Sequence, residues 1–252
     1  MTGARVLVLA GLDPSGGAGL LADLEALAAV GARGFAVATA LTAQGPGGAR
    51  AVEPVSPAFV RAQLDALLEG GGERPRAAKT GMVATAANAA ALAERLSRPA
   101  LSRIPLVVDP VLAASSGLPL LDGGGRTPRR ALGPLLARAT LLTPNWPELE
   151  LLAGRALGSE EEAVRAAREL GAAAVLVKGG HRAGPPVDLL VRGRRVTRLA
   201  GRRRPGTARG TGCRLASAVA GLLAQGVPLE DAARRAKRVV ERYLDAALQA
   251  RL

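Results

Sequence analysis

The chain alternates short apolar, β-branched runs with longer stretches rich in alanine and leucine. The short runs have the length of strands, and the longer stretches have the apolar spacing of helices. The predicted strands are Arg5–Leu9, Gly34–Ala40, Ala77–Thr80, Leu106–Val108, Thr140–Leu142 and Ala173–Val177. Strands that alternate with helices are typical of a parallel sheet covered by helices on both faces. We therefore predict an α/β fold with a mostly parallel central sheet.

Local signals add a hairpin and two helices to this pattern. Ser159 and Glu162 have the spacing of a capping box, which predicts that a helix begins there. Two short β-rich segments flank a glycine and predict a hairpin, Asp188–Val191 and Arg195–Leu199. Residues 213–225 are apolar nearly all round, which predicts a buried helix.

The length and composition limit the kinds of protein that the chain can be. A chain of 252 residues without a linker or repeat fits one large core, so we predict a single domain over residues 1–252. No apolar run approaches the roughly 20 residues that cross a bilayer, and the first apolar run is too short for a signal peptide. A single cysteine excludes an internal disulfide and fits a reducing compartment. We therefore expect a cytoplasmic protein without a membrane segment.

The net charge of +13 invites a nucleic-acid interpretation. Only 2% of the residues are aromatic, so little is available to stack on bases, and no nucleic-acid motif occurs. The 34 basic residues include only three lysines, a skew that suggests compositional drift towards arginine. We favour a solvated basic surface and predict no nucleic-acid partner.

The segment Gly210-Thr211-Gly212-Cys213 directly precedes the buried helix. Small residues let a ligand approach the backbone closely, and the first amides of a helix lack helical partners. These amides and the helix dipole favour bound anions, including a phosphoryl group in transfer. Cys213 lies where a helix start lowers a thiol pKa, so it could take the proton of an attacking hydroxyl. The alternative is a small structural cysteine beside a glycine turn.

Polar residues also follow three of the predicted strands, at the edge where open α/β sheets bind ligands. Asp109 is placed to hold a hydrated Mg²⁺, unless it is only a cap or turn former. Asn145 and Glu148 could bind metal or phosphate indirectly, although both residue types also cap helices. Lys178 could hold ATP phosphates, and its retention in a chain with so few lysines supports a role. We assign no proton-transfer role to His181, the only histidine.

Two nucleotide-binding patterns are missing from the chain. The glycine-rich segment 11–19 lacks the G-x-G-x-x-G spacing of a dinucleotide site. The G-x-x-x-x-G-K-[ST] pattern occurs nowhere in the sequence, which disfavours a P-loop kinase.

From Ala10 to about Leu248 the chain resembles the hydroxymethylpyrimidine/phosphomethylpyrimidine kinases of the ribokinase-like superfamily. The segments that carry the resemblance are AGLDPSGGAGLLADLEAL (10–27), ATALTAQ (38–44), KTGM (79–82), DPVLAASSG (109–117), TPNWPELE (143–150), VKGGH (177–181) and GTGC (210–213). The resemblance implies a three-layer α/β/α fold, usually in a homodimer. It also implies transfer of a phosphoryl group from ATP, with Mg²⁺, to 4-amino-5-hydroxymethyl-2-methylpyrimidine, its monophosphate or both, in thiamin biosynthesis.

The resemblance implies a role for each matching residue. On the pyrimidine side, Asp23 and Gln44 would hydrogen-bond the ring, and the pocket would be lined by Gly11, Met82 and Val111. On the nucleotide side, Asp109 and Glu148 would hold Mg²⁺. The ATP phosphates would be bound by Asn145, Lys178 and Thr211. The catalytic group would comprise Lys178, Cys213 as the base, and the anion turn of Gly210, Thr211 and Gly212.

Several positions depart from the family pattern near the mouth of the expected site. Arg209 and Arg214 stand where histidine and threonine are more usual, and Glu25 replaces a common lysine. The extra arginines suggest the hypothesis that an already phosphorylated substrate is favoured. Two alternatives to a pyrimidine kinase stay open, a pyridoxal-type vitamin kinase and a non-catalytic module that binds the pyrimidine.

Overall fold

A computed structural model of the chain describes residues 3–69, 73–181, 184–204 and 208–249, with the side chain of His181 outside the described part. The strands are β1 (Arg5–Leu12), β2 (Arg33–Gly45), β3 (Gly48–Pro54), β4 (Ala77–Thr80), β5 (Ala84–Thr85), β6 (Leu106–Val108), β7 (Leu121–Asp122), β8 (Leu141–Leu142), β9 (Val175–Val177), β10 (Val187–Arg192) and β11 (Arg195–Ala200). Within these residues, nine strands form one sheet in the order β11-β10-β9-β8-β6-β4-β1-β2-β3, and β5 pairs with β7 apart from it. The five strands from β9 to β1 and their neighbour β2 are parallel, which confirms the predicted sheet.

Helices cover both faces of this sheet. They are α1 (Gly19–Ala29), α2 (Pro57–Glu69), α3 (Ala86–Leu96), α4 (Pro128–Leu136), α5 (Trp146–Ala153), α6 (Glu160–Glu169), α7 (Thr211–Ala224) and α8 (Leu229–Gln249). One core joins the sheet to helices α2–α6, and a second core joins its other face to α1, α7 and α8. The result is the three-layer α/β/α arrangement. No described helix is long and apolar enough to cross a membrane.

The central strand β1 shows why the sheet needs two helical layers. Successive side chains of a strand point to opposite faces. Leu7 and Leu9 accordingly pack in the first core, whereas Val6 and Val8 pack in the second. A strand buried on both faces is expected in a parallel sheet and appears in the sequence as a continuous apolar run.

The strand predictions differ from the structure mainly at the end of β2. All six predicted strands and the hairpin are present, but β2 extends five residues beyond Ala40 to Gly45. The extension pairs with β3, an antiparallel edge strand that the sequence pattern did not predict. Gly45 and Gly48 pair at its end and leave a two-residue turn between them. The single-domain prediction stays a prediction, because both chain ends lie outside the described residues.

One predicted capping box is wrong and another takes its place. Ser159 does cap α6 by accepting from the amide of Glu162 at 3.2 Å. Glu162, however, accepts from the amide of Gly158, so the reciprocal bond to Ser159 is absent. A complete box occurs at the start of α5, between Asn145 and Glu148. The local pattern predicted the N-cap correctly but did not specify whether Glu162 would accept from the amide of Ser159 or of Gly158.

Candidate active site

The start of α7 is the segment that the sequence predicts to bind an anion. Gly210 is its N-cap residue with φ of 70°, a left-handed conformation that favours glycine, and no side chain caps the turn. The first amides of the helix therefore lack a side-chain partner at the cap. A Cβ on Gly210 would overlap the carbonyl oxygen of Gly17, so the loop after β1 packs directly against this turn. Thr211, Gly212 and Cys213 follow as the first helical residues.

Lys178 connects this turn to two carboxylates. Its Nζ lies 2.9 Å from Oδ1 of Asp109 and 3.7 Å from Oε2 of Glu148. A Cβ built on Gly212 would lie 2.9 Å from the same Nζ, so the ammonium rests against the first turn of α7. The structure thus brings together the residues that the sequence placed after three different strands and before α7.

The charges of this group are strongly coupled. Burial opposes ionisation of Asp109, but the charges of Lys178 and Lys79 and hydrogen bonds from Lys178 and Thr143 hold its pKa below the usual value. Burial opposes the charge on Lys178 too, but Asp109 and Glu148 raise its pKa. Burial raises the pKa of Glu148, since it outweighs the attraction of Lys178. At neutral pH, Asp109 and Lys178 therefore form an ion pair.

Asn145 and Glu148 also perform the capping role that was the alternative for them. Asn145 Oδ1 accepts from the amide of Glu148 at 2.8 Å, and Glu148 Oε2 accepts from the amide of Asn145 at 2.7 Å. Because the same Oε2 faces Lys178, capping orients the carboxylate towards the site. The capping and site interpretations are therefore compatible.

The expected low pKa of Cys213 is wrong. The thiol is partly buried on the first turn of α7. Burial raises the pKa of Cys213 to about 12, and the opposing charge of Lys79 does not compensate. Nearby Asp23 and Asp109 raise it further. The favourable helix start is outweighed by desolvation and by two carboxylates, so the thiol keeps its proton at neutral pH.

Asp23 lies beneath the site instead of in its wall. Both of its oxygens accept from Lys79 Nζ at 2.8 Å, and Oδ1 also accepts from Ser217 at 2.8 Å. Asp23 and Lys79 are both 0% exposed. Burial would lower the pKa of Lys79, but Asp23, Cys213 and Asp109 together raise it. The structure therefore does not present Asp23 to a ligand, and the pyrimidine contact predicted for it stays a prediction.

The other residues predicted to contact the pyrimidine are Gly11, Gln44, Met82 and Val111. A Cβ on Gly11 would lie 3.0 Å from the sulfur of Met82, so the backbone here passes close to the methionine. Met82 and Val111 belong to one small apolar cluster. Gln44 accepts from Thr42 Oγ1 at 3.2 Å near the end of β2. An apolar cluster and an amide are the mixed lining expected of a small-molecule pocket, and the pyrimidine contacts predicted for these residues stay a prediction.

The two unusual arginines have different environments. Arg209 donates to Asp13 Oδ2 at 2.7 Å and to the carbonyl of Gly45 at 2.6 Å. Arg214 is 4% exposed, donates to Glu25 at 2.5 Å and lies 3.8 Å from the ring centroid of Tyr243. Arg214 and Glu25, both departures from the family pattern, thus pair with each other. The hypothesis that these arginines favour a phosphorylated substrate stays a prediction.

The donor set suits Mg²⁺ bound partly by phosphates. No cluster of three or more metal-ligating side chains occurs among the residues that the structure describes. Mg²⁺ commonly uses one or two carboxylates and completes its shell with water and substrate phosphates. Asp109 and Glu148 already converge on one cation, Lys178, so the site is built to hold positive charge.

Sequence reasoning missed the roles of Lys79 and Lys237. Each of the three lysines of the chain is paired with a buried aspartate, Lys79 with Asp23, Lys178 with Asp109 and Lys237 with Asp188. The scarcity of lysine was applied to Lys178 alone, although the same signal identifies all three.

Comparison with solved structures identifies the class of fold. A solved pyridoxal kinase from Staphylococcus aureus in complex with AMP-PCP matches with a TM-score of 0.83 and 29% identity, over 96% of this chain and 88% of that one. The chain thus has the fold of the ribokinase-like vitamin kinases.

The family follows from sequence comparison. The profile described as phosphomethylpyrimidine kinase matches residues 13–251, and the chain belongs to this family. It is 43% identical to the hydroxymethylpyrimidine/phosphomethylpyrimidine kinase of Rhizobium meliloti, over 98% of this chain and 91% of that protein. It is also 43% identical to the thiamine biosynthesis bifunctional protein ThiED of Geobacter sulfurreducens, over 97% of this chain but only 49% of that protein.

Proposed function

We propose that this protein transfers the γ-phosphoryl group of ATP to 4-amino-5-hydroxymethyl-2-methylpyrimidine and to its monophosphate, in thiamin biosynthesis. The observation that carries the proposal is the position of Lys178, whose ammonium contacts Asp109 and rests against the anion turn of α7. One cation next to the first amides of a helix suits a group that gains and loses phosphate charge. The family and the relatives named above support the substrate class.

The proposed mechanism depends on position and charge. The Gly210–Cys213 turn binds the moving phosphoryl group, Lys178 neutralises charge on the phosphates, and Asn145 hydrogen-bonds them. Asp109 and Glu148 would hold Mg²⁺, which offsets phosphate charge when bound. Gln44, Met82 and Val111 fix the pyrimidine so that its hydroxyl attacks in line with the leaving group. In a loose transition state such alignment supplies most of the rate enhancement.

The role of Cys213 has a sharp test. A thiol with a pKa of about 12 is protonated at pH 7, so acting as a base requires a much lower pKa in the loaded site. If Cys213 is that base, kcat falls at low pH, and the inflection disappears in Cys213→Ala. If it acts only by position, Cys213→Ser and wild type show the same pH profile.

The assignment itself is tested by ATP consumption with three substrates, the hydroxymethylpyrimidine, its monophosphate and pyridoxal. Turnover of the pyrimidines that is lost in Lys178→Met supports the proposed function. ADP release at the same rate without any of the three substrates contradicts it. Binding of the pyrimidine without turnover would instead indicate a non-catalytic binding module.

Pyridoxal phosphorylation is the second candidate, because the structural match to a pyridoxal kinase is high. The ratio of the protein's kcat/KM for pyridoxal to its kcat/KM for the pyrimidine decides between the two substrates.

We also propose that the protein forms a homodimer, on the resemblance alone. Light scattering after gel filtration tests it, and a monomer mass at micromolar concentration would contradict it.

A further inference from the structure

Arg209 joins three segments that meet at the proposed substrate pocket. It directly precedes Gly210, the N-cap of α7. Its guanidinium donates to Asp13 in the loop after β1 and to the carbonyl of Gly45 at the end of β2. Gly45 follows Gln44, the proposed pyrimidine contact. The guanidinium therefore lies between the anion turn and the end of β2 that is expected to bind the ring.

Asp13 does not depend on Arg209 for its hydrogen bonds. Its Oδ1 accepts from the amide and hydroxyl of Ser15 at 3.0 Å and 2.7 Å, and Oδ2 accepts from the amide of Ala18 at 3.0 Å. Three donors would remain if the guanidinium turned to another anion. These three neutral donors offset part of the cost of burying the carboxylate, although its charge would then lack the arginine as counterion.

The backbone of Arg209 is held independently of its side chain. Its carbonyl accepts from Tyr243 at 3.1 Å and from Arg214 at 3.4 Å. The side chain is 22% exposed, whereas that of Asp13 is 3% exposed. The guanidinium thus has solvent access on a fixed backbone, which allows it to bind a ligand without moving the anion turn.

Each of the other described cations that border the site is also paired with a carboxylate. Lys79 is fully buried on Asp23, Lys178 contacts Asp109 and Glu148, and the buried Arg214 pairs with the exposed Glu25. A substrate phosphomonoester brings up to two further negative charges next to the γ-phosphate. Arginine suits such a group because its planar donors match phosphate oxygens.

We propose that Arg209 is a specificity-determining residue that binds the phosphate of a phosphomonoester substrate and so favours the pyrimidine monophosphate over the free alcohol. The inference rests on the proposed function. In the step concerned, an oxygen of the substrate phosphate bonds to the γ-phosphorus while the bond from that phosphorus to the bridging oxygen of ATP breaks. ADP leaves with the electron pair, and the product is the pyrimidine diphosphate ester.

The test compares Arg209→Gln with Arg192→Gln, which removes the same charge from an exposed position on β10. We measure kcat/KM for the hydroxymethylpyrimidine and for its monophosphate. Loss of a charge-assisted contact predicts that Arg209→Gln lowers the value for the monophosphate about 10- to 100-fold, with about a threefold change or less for the alcohol. Arg209→Lys should recover part of the loss, and Arg192→Gln should match wild type.

If the ratio of kcat/KM for the monophosphate to kcat/KM for the alcohol is the same in Arg209→Gln as in wild type, the inference is wrong. Arg209 would then be a structural bridge between loops. Calorimetric titration of the monophosphate without ATP separates this from failure of the proposed function. Wild-type turnover of both pyrimidines with an unchanged ratio removes only the inference. If the wild-type protein neither turns over nor binds the pyrimidines, both the inference and the proposed function are wrong. Binding that weakens in Arg209→Gln without any turnover supports the phosphate contact alone.

Discussion

Two lysine–aspartate pairs of this molecule have opposite surroundings. Lys79, on β4, and Asp23 are both fully buried, with distances of 2.8 Å to both oxygens. Lys178, just after β9, is 2.9 Å from Asp109, but its side chain is 14% exposed and faces Gly212 of the anion turn. The pairs have the same chemistry, so their surroundings must decide what each can do.

The difference lies in what remains free. In the buried pair, Ser217 takes a further lone pair of Asp23, and no part of either side chain reaches solvent. In the other pair, Glu148 and the α7 turn meet the same ammonium, and a phosphate can approach it. We infer that the first pair fixes the packing beneath the site, and we propose that the second pair would contact the reacting groups.

Lys79→Met is expected to have the largest effect on stability. It leaves the carboxylate of Asp23 buried without its counterion, and breaking a buried pair in this way costs about 3–5 kcal/mol. Chemical denaturation measures the free energy of unfolding. The matched control, Asp23→Leu with Lys79→Met, removes both charges and should recover much of the loss. A single variant as stable as wild type would show that the pair is not a structural unit.

Lys178→Met is expected to lower activity strongly and stability less than Lys79→Met does. Loss of the ammonium removes charge stabilisation from the transferred phosphoryl group, which predicts a fall in kcat of about 10²- to 10³-fold. The effect on unfolding should be smaller than for Lys79→Met, because Asp109 retains the Thr143 hydroxyl and is open to solvent ions once Lys178 is removed. Steady-state kinetics and denaturation on the same preparation test both halves. A stability loss equal to that of Lys79→Met would remove the distinction between the pairs.

The sequence predicted the second pair better than the first for a physical reason. Asp109 and Lys178 each follow an apolar run, and parallel strands bring such positions to one edge of the sheet. Asp23 lies on a helix, so its orientation depends on how α1 packs against β1 and α7. Local spacing does not specify that packing, and a pocket residue and a buried counterion look alike in the sequence.

Long-range contacts account for the other differences. The extension of β2 is fixed by its partner β3, a half-exposed edge strand without a strong apolar pattern. The pKa of Cys213 depends on Asp23 and Asp109, which are distant in sequence and meet only in the fold. The helix start was predictable, but the desolvation that outweighs it was not.

The partly exposed pair of Arg214 and Glu25 lies between these extremes and predicts a smaller effect. Arg214 is buried, but the side chain of Glu25 is 61% exposed, so the ion pair is screened by solvent. Glu25→Gln should therefore cost about 1 kcal/mol or less in unfolding free energy. Arg214→Met also loses its bond to the Gly17 carbonyl and its stacking on Tyr243, and should cost about 1–3 kcal/mol. Equal losses in the two variants would assign the whole effect to the ion pair.

Cys213 should have the smallest effect on stability at neutral pH, and its pKa depends on both lysine–aspartate pairs. Because the folded pKa is raised to about 12, its thiolate is scarce, and alkylation by iodoacetamide at pH 8 should be about a thousandfold slower than in the urea-unfolded chain, where the thiol pKa is near 8.5. The sequence contains no other cysteine, so the adduct mass reports this residue alone. Asp109→Asn removes a carboxylate that raises the pKa and should speed alkylation of the folded protein. The linked stability is complete below pH 8.5 and declines as the pH rises towards 12, since the unfolded chain then binds fewer protons than the folded one. Folded and unfolded chains that react at equal rates at pH 8 would show that the two carboxylates and burial do not control this thiol.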